Sequence, residues 1–107
     1  MTYTNALVAL ADPTRRAVFE RLASGPRSVG QVADGMPVSR PAVSQHLKVL
    51  KEAGLVTDRP DGARRVYRID PQGLGQIRAW LDQFWGTALE TFQAEFEADK
   101  SSNEESD

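Results

Sequence analysis

Apolar residues along the chain fall into short runs of helical spacing, punctuated by capping residues, proline and glycine. Ala6, Leu7 and Leu10 share one side of a first helix that ends before Asp12-Pro13. That dipeptide opens a second helix, because aspartate can cap the free N–H groups and proline suits the first helical position. Val18, Phe19 and Leu22 give its buried face, and Ser24-Gly25-Pro26 stops it. Ser28 with Gln31 three residues later is a capping-box pattern. Val29, Val32, Ala33 and Met36 follow one apolar stripe, so a third, shorter helix runs over 29–35, and Gly35 to Val38 makes a tight turn. The fourth helix, 39–53, takes Ser39 as cap and Arg40-Pro41 in its first turn, buries Val43, Leu47 and Leu50, and closes at Ala53-Gly54.

Beyond Leu55-Val56 the period changes. The segment 58–65 is a turn cluster with Asp61-Gly62 at its middle, followed by Val66-Tyr67-Arg68-Ile69, which predicts a β-hairpin over 58–69. Asp70-Pro71 repeats the cap-then-proline signal, and a long helix follows to about Ala98, weakened near its start by Gly73 and Gly75. Leu74, Ile77, Leu81, Phe84 and Ala88 form one stripe on it, while Trp85, Leu89, Phe92 and Phe96 form a second. So small a chain has little core left to cover that second stripe, and a partner subunit would cover it. Residues 99–107 have no apolar anchor and read as a disordered acidic tail, leaving 1–98 as one domain. The predicted architecture is mainly α (α+β): five helices and a two-stranded hairpin, in the order helix, helix, helix-turn-helix, hairpin, helix.

Composition narrows what such a frame can do. No apolar run approaches the roughly 20 residues of a membrane span, no leader segment is present, and no cysteine exists to form a disulfide, so a cytoplasmic protein is expected. The net charge of -2 hides an asymmetry. Up to Asp70 there are 11 basic and 7 acidic residues, and beyond it 2 and 8. The basic part suits a polyanion, and the acidic part can face away from it.

The fourth helix carries the sharpest division of side chains. At about 100° per residue, Pro41, Gln45, Lys48 and Glu52 lie nearly opposite Val43, Leu47 and Leu50, with Ser44 and Lys51 on one flank. In a helix-turn-helix the second helix enters the major groove N-terminus first, where Gln pairs with adenine and Arg with guanine. Arg40, Ser44 and Gln45 fit base edges, and Lys48 and Lys51 fit phosphates. The hairpin adds Arg59, Arg64, Arg65 and Arg68 around a glycine turn, of which Arg64 and Arg65 suit phosphate or the minor groove. The plainer alternative stays open at this point: amphipathic helices and basic hairpins are often only solvated. Tyr67 and Ile69 alternate onto one face and read as core.

Catalysis lacks its parts. His46 is the lone histidine, it shares the shoulder of the apolar stripe with Ala42 and Val49, and Ser44 two positions away points elsewhere. One histidine and no cysteine leave no transition-metal set, and no glycine-rich phosphate loop or cofactor motif appears, so neither metal nor cofactor is expected.

The runs Ala9-Leu10-Ala11-Asp12-Pro13-Thr14-Arg15-Arg16, Pro37 through Leu50, and Ala53-Gly54-Leu55-Val56 closely resemble the ArsR/SmtB family of bacterial regulators, in the right order and with the right gaps. The likeness spans Asn5 to about Phe96. It implies a homodimeric winged helix-turn-helix repressor that binds double-stranded operator DNA and assembles through its first and last helices. By position it places Ser39, Arg40, Ser44, Gln45 and Lys48 on the reading helix and Arg64 and Arg65 on the wing, with Leu7, Leu10, Trp85, Leu89, Phe92 and Phe96 at the subunit interface. Many members sense metals through cysteines on the third or last helix, or histidines and carboxylates on the last. This chain has no cysteine and no histidine there, which aligns it with the cysteine-free, non-metal-sensing branch, some of whose members regulate their own operon. Two other readings remain: a winged-helix module that docks a different protein on the aromatic stripe, and a repressor gated by a small apolar effector near Trp80 and Trp85.

Overall fold

The computed structural model describes the backbone of residues 2–105 and the side chains of residues 5–99. Its elements are α1 (Thr2–Ala11), α2 (Pro13–Glu20), β1 (Arg27–Ser28), α3 (Val29–Ala33), α4 (Arg40–Glu52), β2 (Val56–Asp61), β3 (Arg64–Ile69) and α5 (Pro71–Glu105). Contacts divide the chain into a unit of residues 1–77 and a second of 78–107, the boundary falling within α5.

In the first unit, local chemistry accounts for each helix end. The corner between α1 and α2 is capped from both sides. Asp12 Oδ1 accepts from the Arg15 N–H at 2.9 Å, while the Arg15 and Arg16 guanidinium groups donate to the Ala9 and Leu10 carbonyls at 2.6 and 2.9 Å. These carbonyls belong to the last turn of α1, which has no helical donor for them. The capping box at α3 is complete: Ser28 Oγ accepts from the Gln31 N–H, and Gln31 Oε1 accepts from the Ser28 N–H at 2.9 Å. Ser39 caps α4 by accepting from the Ala42 N–H. At the other end Gly54 adopts φ +80°, and the Leu55 and Gly54 N–H groups donate to the Leu50 and Lys51 carbonyls. That pair of bonds is a Schellman closure, with its apolar contact supplied by fully buried Leu50 and Leu55.

The sheet is three-stranded and antiparallel, in the order β1-β3-β2. The hairpin is the one read from the sequence, and the third strand is an addition: Arg27 and Ser28 pair with Tyr67 and Val66. The strands meet through the two-residue loop Gly62–Ala63, where only Gly62 has positive φ, the requirement of a II′ turn. Ala6, Ala9, Val18, Phe19, Leu22, Val32, Val43, Leu47, Leu50, Leu55 and Val56 form the core, with Tyr67, Ile69 and Ile77 packed partly against it. Leu10 also packs partly against this core, so its side chain is less available to a partner than its helical position suggested; Leu7 is exposed, and Val8, which the apolar pattern passed over, more so.

Gly73 is where the first turn of α5 meets the end of α4. A Cβ there would stand 1.9 Å from the Gly54 carbonyl oxygen, closer than any side chain tolerates, so two backbones touch where the sequence showed only a weak helix former. Gly75 has open space around it.

The second unit is the remainder of α5. Trp80 and Phe84 stack at 5.6 Å, and Leu81, Phe84, Trp85, Leu89, Phe92 and Phe96 are all exposed. In the first stripe Leu74, Leu81 and Phe84 are exposed as well, while Ile77 packs partly against the core and Ala88 is half-buried. The helical backbone continues to Glu105, past the end expected near Ala98, because propagating a helix already begun needs no apolar anchor. For the expected tail at 99–107, the side chains from Lys100 onward and all of residues 106 and 107 lie outside the described residues. Among the described residues no helix is long and apolar enough to cross a membrane.

Candidate nucleic-acid interface

α4 is sorted into two faces by its packing. Val43, Leu47 and Leu50 are fully buried, whereas Arg40, Ser44, Gln45, Lys48 and Lys51 are exposed. The core therefore fixes the rotation of the helix and turns the polar row outward as a direct consequence of the apolar spacing. Ser39, also exposed, spends its hydroxyl on the cap at the helix entrance.

An open cleft of about 910 Å³ lies where α3 and the turn into α4 face the hairpin. Arg40, Arg64 and Arg65 line it together with Gln31 and Asp34, bringing three of the expected cations into one concavity. The Arg40 guanidinium lies against Gly30 of α3, so close that a Cβ on that residue would stand 3.1 Å from it. Arg64 pairs loosely with Asp61 across the hairpin turn, 3.7 Å apart, and both remain exposed. Arg59 stands apart from this group: alternation along β2 sets it on the opposite hairpin face from Asp58, and it does not line the cleft.

Lys51 and Arg65 are joined by a residue the sequence did not single out. Lys51 Nζ lies 2.8 Å from Asp58 Oδ1 and Arg65 Nη1 lies 3.1 Å from Asp58 Oδ2, one cation on each carboxylate oxygen. The Asp58 side chain is only 8% exposed, while those of its partners are 54% exposed. The hydrogen bond from Lys51 holds the Asp58 carboxyl below the usual carboxylate range, opposed by burial and assisted by the charges of Lys51 and Arg65. No local rule reveals this cluster, since it joins the last turn of α4 to both strands of the hairpin.

His46 is half-buried on α4, whereas Ser44 is exposed on another face, so the two do not form a nucleophile and base. The Asp12 carboxyl is held below its usual range chiefly by the Arg15 N–H, with His46 the smallest contributor. Among the described residues, no group of three or more histidine, cysteine or carboxylate side chains is placed to hold a metal ion.

A core-locked helix presenting polar side chains beside a basic hairpin is the arrangement of a winged helix-turn-helix regulator that binds DNA. A helix-turn-helix domain family matches residues 10–59. The HTH-type transcriptional regulator Rv2034 of Mycobacterium tuberculosis is 67% identical over 81 residues, 76% of this chain and 76% of that protein. The transcriptional repressor SdpR of Bacillus subtilis is 31% identical over 80 residues, 75% of this chain and 89% of the relative. A solution structure of the homodimeric winged helix-turn-helix DNA-binding domain of Mb0332 from Mycobacterium bovis, a possible ArsR-family transcriptional regulator, aligns with TM-score 0.65 and 29% identity over 83% of this chain and 82% of that one. The chain belongs to the ArsR/SmtB family of transcriptional regulators, which are DNA-binding proteins and not enzymes.

Proposed function

We propose that the protein is a homodimeric repressor acting in the cytoplasm, where it binds a two-fold operator with α4 in the major groove and the wing along the backbone. Arg40, Ser44 and Gln45 meet base edges; Lys48, Lys51, Arg64 and Arg65 meet phosphates, with Ser39 at the helix entrance and Arg59 on the outer side of the wing. The observation that carries this reading is the division of α4, whose buried Val43, Leu47 and Leu50 leave the polar row no direction but outward. Replacing Gln45 by alanine should then cost on the order of 1–3 kcal/mol at one base position and little at the others. Replacing Lys48 should weaken all sequences alike and flatten the salt dependence by about one unit of slope. Equal losses for Gln45→Ala on specific and scrambled duplexes would contradict the assignment.

The dimer is supported by the exposed row Trp85, Leu89, Phe92 and Phe96, together with Leu7 on α1 and a smaller contribution from Leu10. So many aromatic side chains in one row are costly to leave in water, and a second copy presenting the same row would bury them reciprocally. Mass measurement in solution tests this: a monomer would favour docking of a different protein on that row. A dimer whose DNA affinity falls on titration with small apolar compounds would instead point to an effector near Trp80 and Trp85.

A further inference from the structure

Two of the cations assigned to phosphate, Lys51 and Arg65, are held in the protein itself by the carboxylate of Asp58. A surface acid that merely happened to lie near them would be solvated. This one is nearly buried at the base of the wing and uses each oxygen for a cation from a different element, α4 on one side and β3 on the other. In the hairpin register Asp58 faces Tyr67, which puts Arg65, two residues earlier, diagonally beside it on the same face. The side chains of Lys51 and Arg65 remain about half exposed, which leaves both within reach of solvent and of a phosphate while they are paired with the carboxylate.

We propose that Asp58 is a positioning residue that sets DNA specificity: it fixes Lys51 and Arg65 at one spacing and withdraws one unit of positive charge from indiscriminate attraction to duplex. This rests on the DNA-reading function proposed above. Two effects act in the same direction. Fixed cations lose little side-chain freedom on a duplex whose phosphates match their spacing and gain little from one that does not. The buried negative charge meanwhile reduces the electrostatic, sequence-independent part of binding, which otherwise grows with each cation presented.

The test uses full-length protein and two duplexes of equal length: one selected by the wild-type protein from a randomised pool, the other its scrambled counterpart. Asp58→Asn keeps the side-chain volume and removes the charge. Its affinity for the scrambled duplex should rise several-fold at low salt, with a salt slope steeper by about one. The selected-to-scrambled ratio should fall several-fold, because the selected duplex shares the same electrostatic gain but loses the advantage of cations held at a matching spacing. A merely structural role for Asp58 would weaken both duplexes together and leave the ratio unchanged, which overturns the proposal. If Asp58→Asn does not fold, as judged by loss of its thermal transition, Asp58→Glu takes its place. With the charge retained, that variant should keep the wild-type salt slope while the displaced carboxylate lowers the ratio, and an unchanged ratio again overturns positioning. A wild-type protein that selects no duplex from the pool would defeat the operator reading itself, and the inference with it; a wild-type preference left intact by both variants would defeat the inference alone.

Discussion

α4 and α5 are both amphipathic helices, and they differ in where their apolar side chains go. α4 sets Val43, Leu47 and Leu50 into the core at zero exposure, so its orientation is settled by the chain itself and its polar face is free for a ligand. α5 anchors Ile77 partly against that core, and beyond it carries an aromatic row that remains in solvent. One helix is finished by folding, and the other keeps an apolar row that folding leaves uncovered. An apolar stripe on a helix is buried only where another surface is present to cover it.

Changing one side chain in each stripe should separate the two roles. Leu47→Ala should destabilise the protein by about 2–5 kcal/mol in urea unfolding, because it leaves a cavity at a fully buried position of the core. Phe92→Glu should act on assembly instead. The wild-type melting temperature should rise with protein concentration, and the variant should lose that dependence while sedimenting as a monomer. If Phe92→Glu lowered stability as much as Leu47→Ala at high dilution, the division between the two helices would be wrong.

The joint between them is probed by its glycines. Gly73→Ala drives a methyl group into the Gly54 carbonyl and should cost about 1–3 kcal/mol, or more if the backbone cannot shift. Gly75→Ala, two residues along the same helix in open space, should stabilise by about 0.5–1 kcal/mol. Thermal melts of the two variants side by side should therefore move in opposite directions, and a common sign would mean that Gly73 has no close contact with the Gly54 carbonyl.

A smaller effect is expected from acid. Because Lys51 and Arg65 depress the Asp58 carboxyl, its stabilising contribution is present above the usual carboxylate range and is lost as pH falls through that range toward the depressed value. The gap in melting temperature between wild type and Asp58→Asn should accordingly narrow on acidification from neutral pH. Asp12 has the same sign but is common to both proteins, so it cancels in the difference. A gap that widened would reverse the charge assignment at the base of the wing.

What was legible in the sequence was local. Asp12, Ser28 and Ser39 cap the helices they precede, and Gly54 and Gly62 take positive φ at a helix end and a hairpin turn, because each of these features is set within a few residues. The outward row of α4 was legible for the same reason, as a matter of angular spacing. What escaped depended on distant parts of the chain. β1 is two residues long and looks like a loop until Tyr67 and Val66 pair with it. Gly73 looks like a flaw in a helix until the Gly54 carbonyl lies against it. Asp58 counts against a basic wing until Lys51 and Arg65 are seen on its two oxygens.

In the proposed two-fold complex the outward face of α4 enters a groove of duplex DNA. A hydroxyl-radical footprint on a duplex selected from a randomised pool would show that contact base by base. Two protected half-sites of inverted sequence are expected, about 10–10.5 base pairs or a multiple of that apart, with protection at one half-site base altered by Gln45→Ala. Uniform protection along the fragment, or none in the presence of bulk competitor DNA at low ionic strength, would contradict that arrangement.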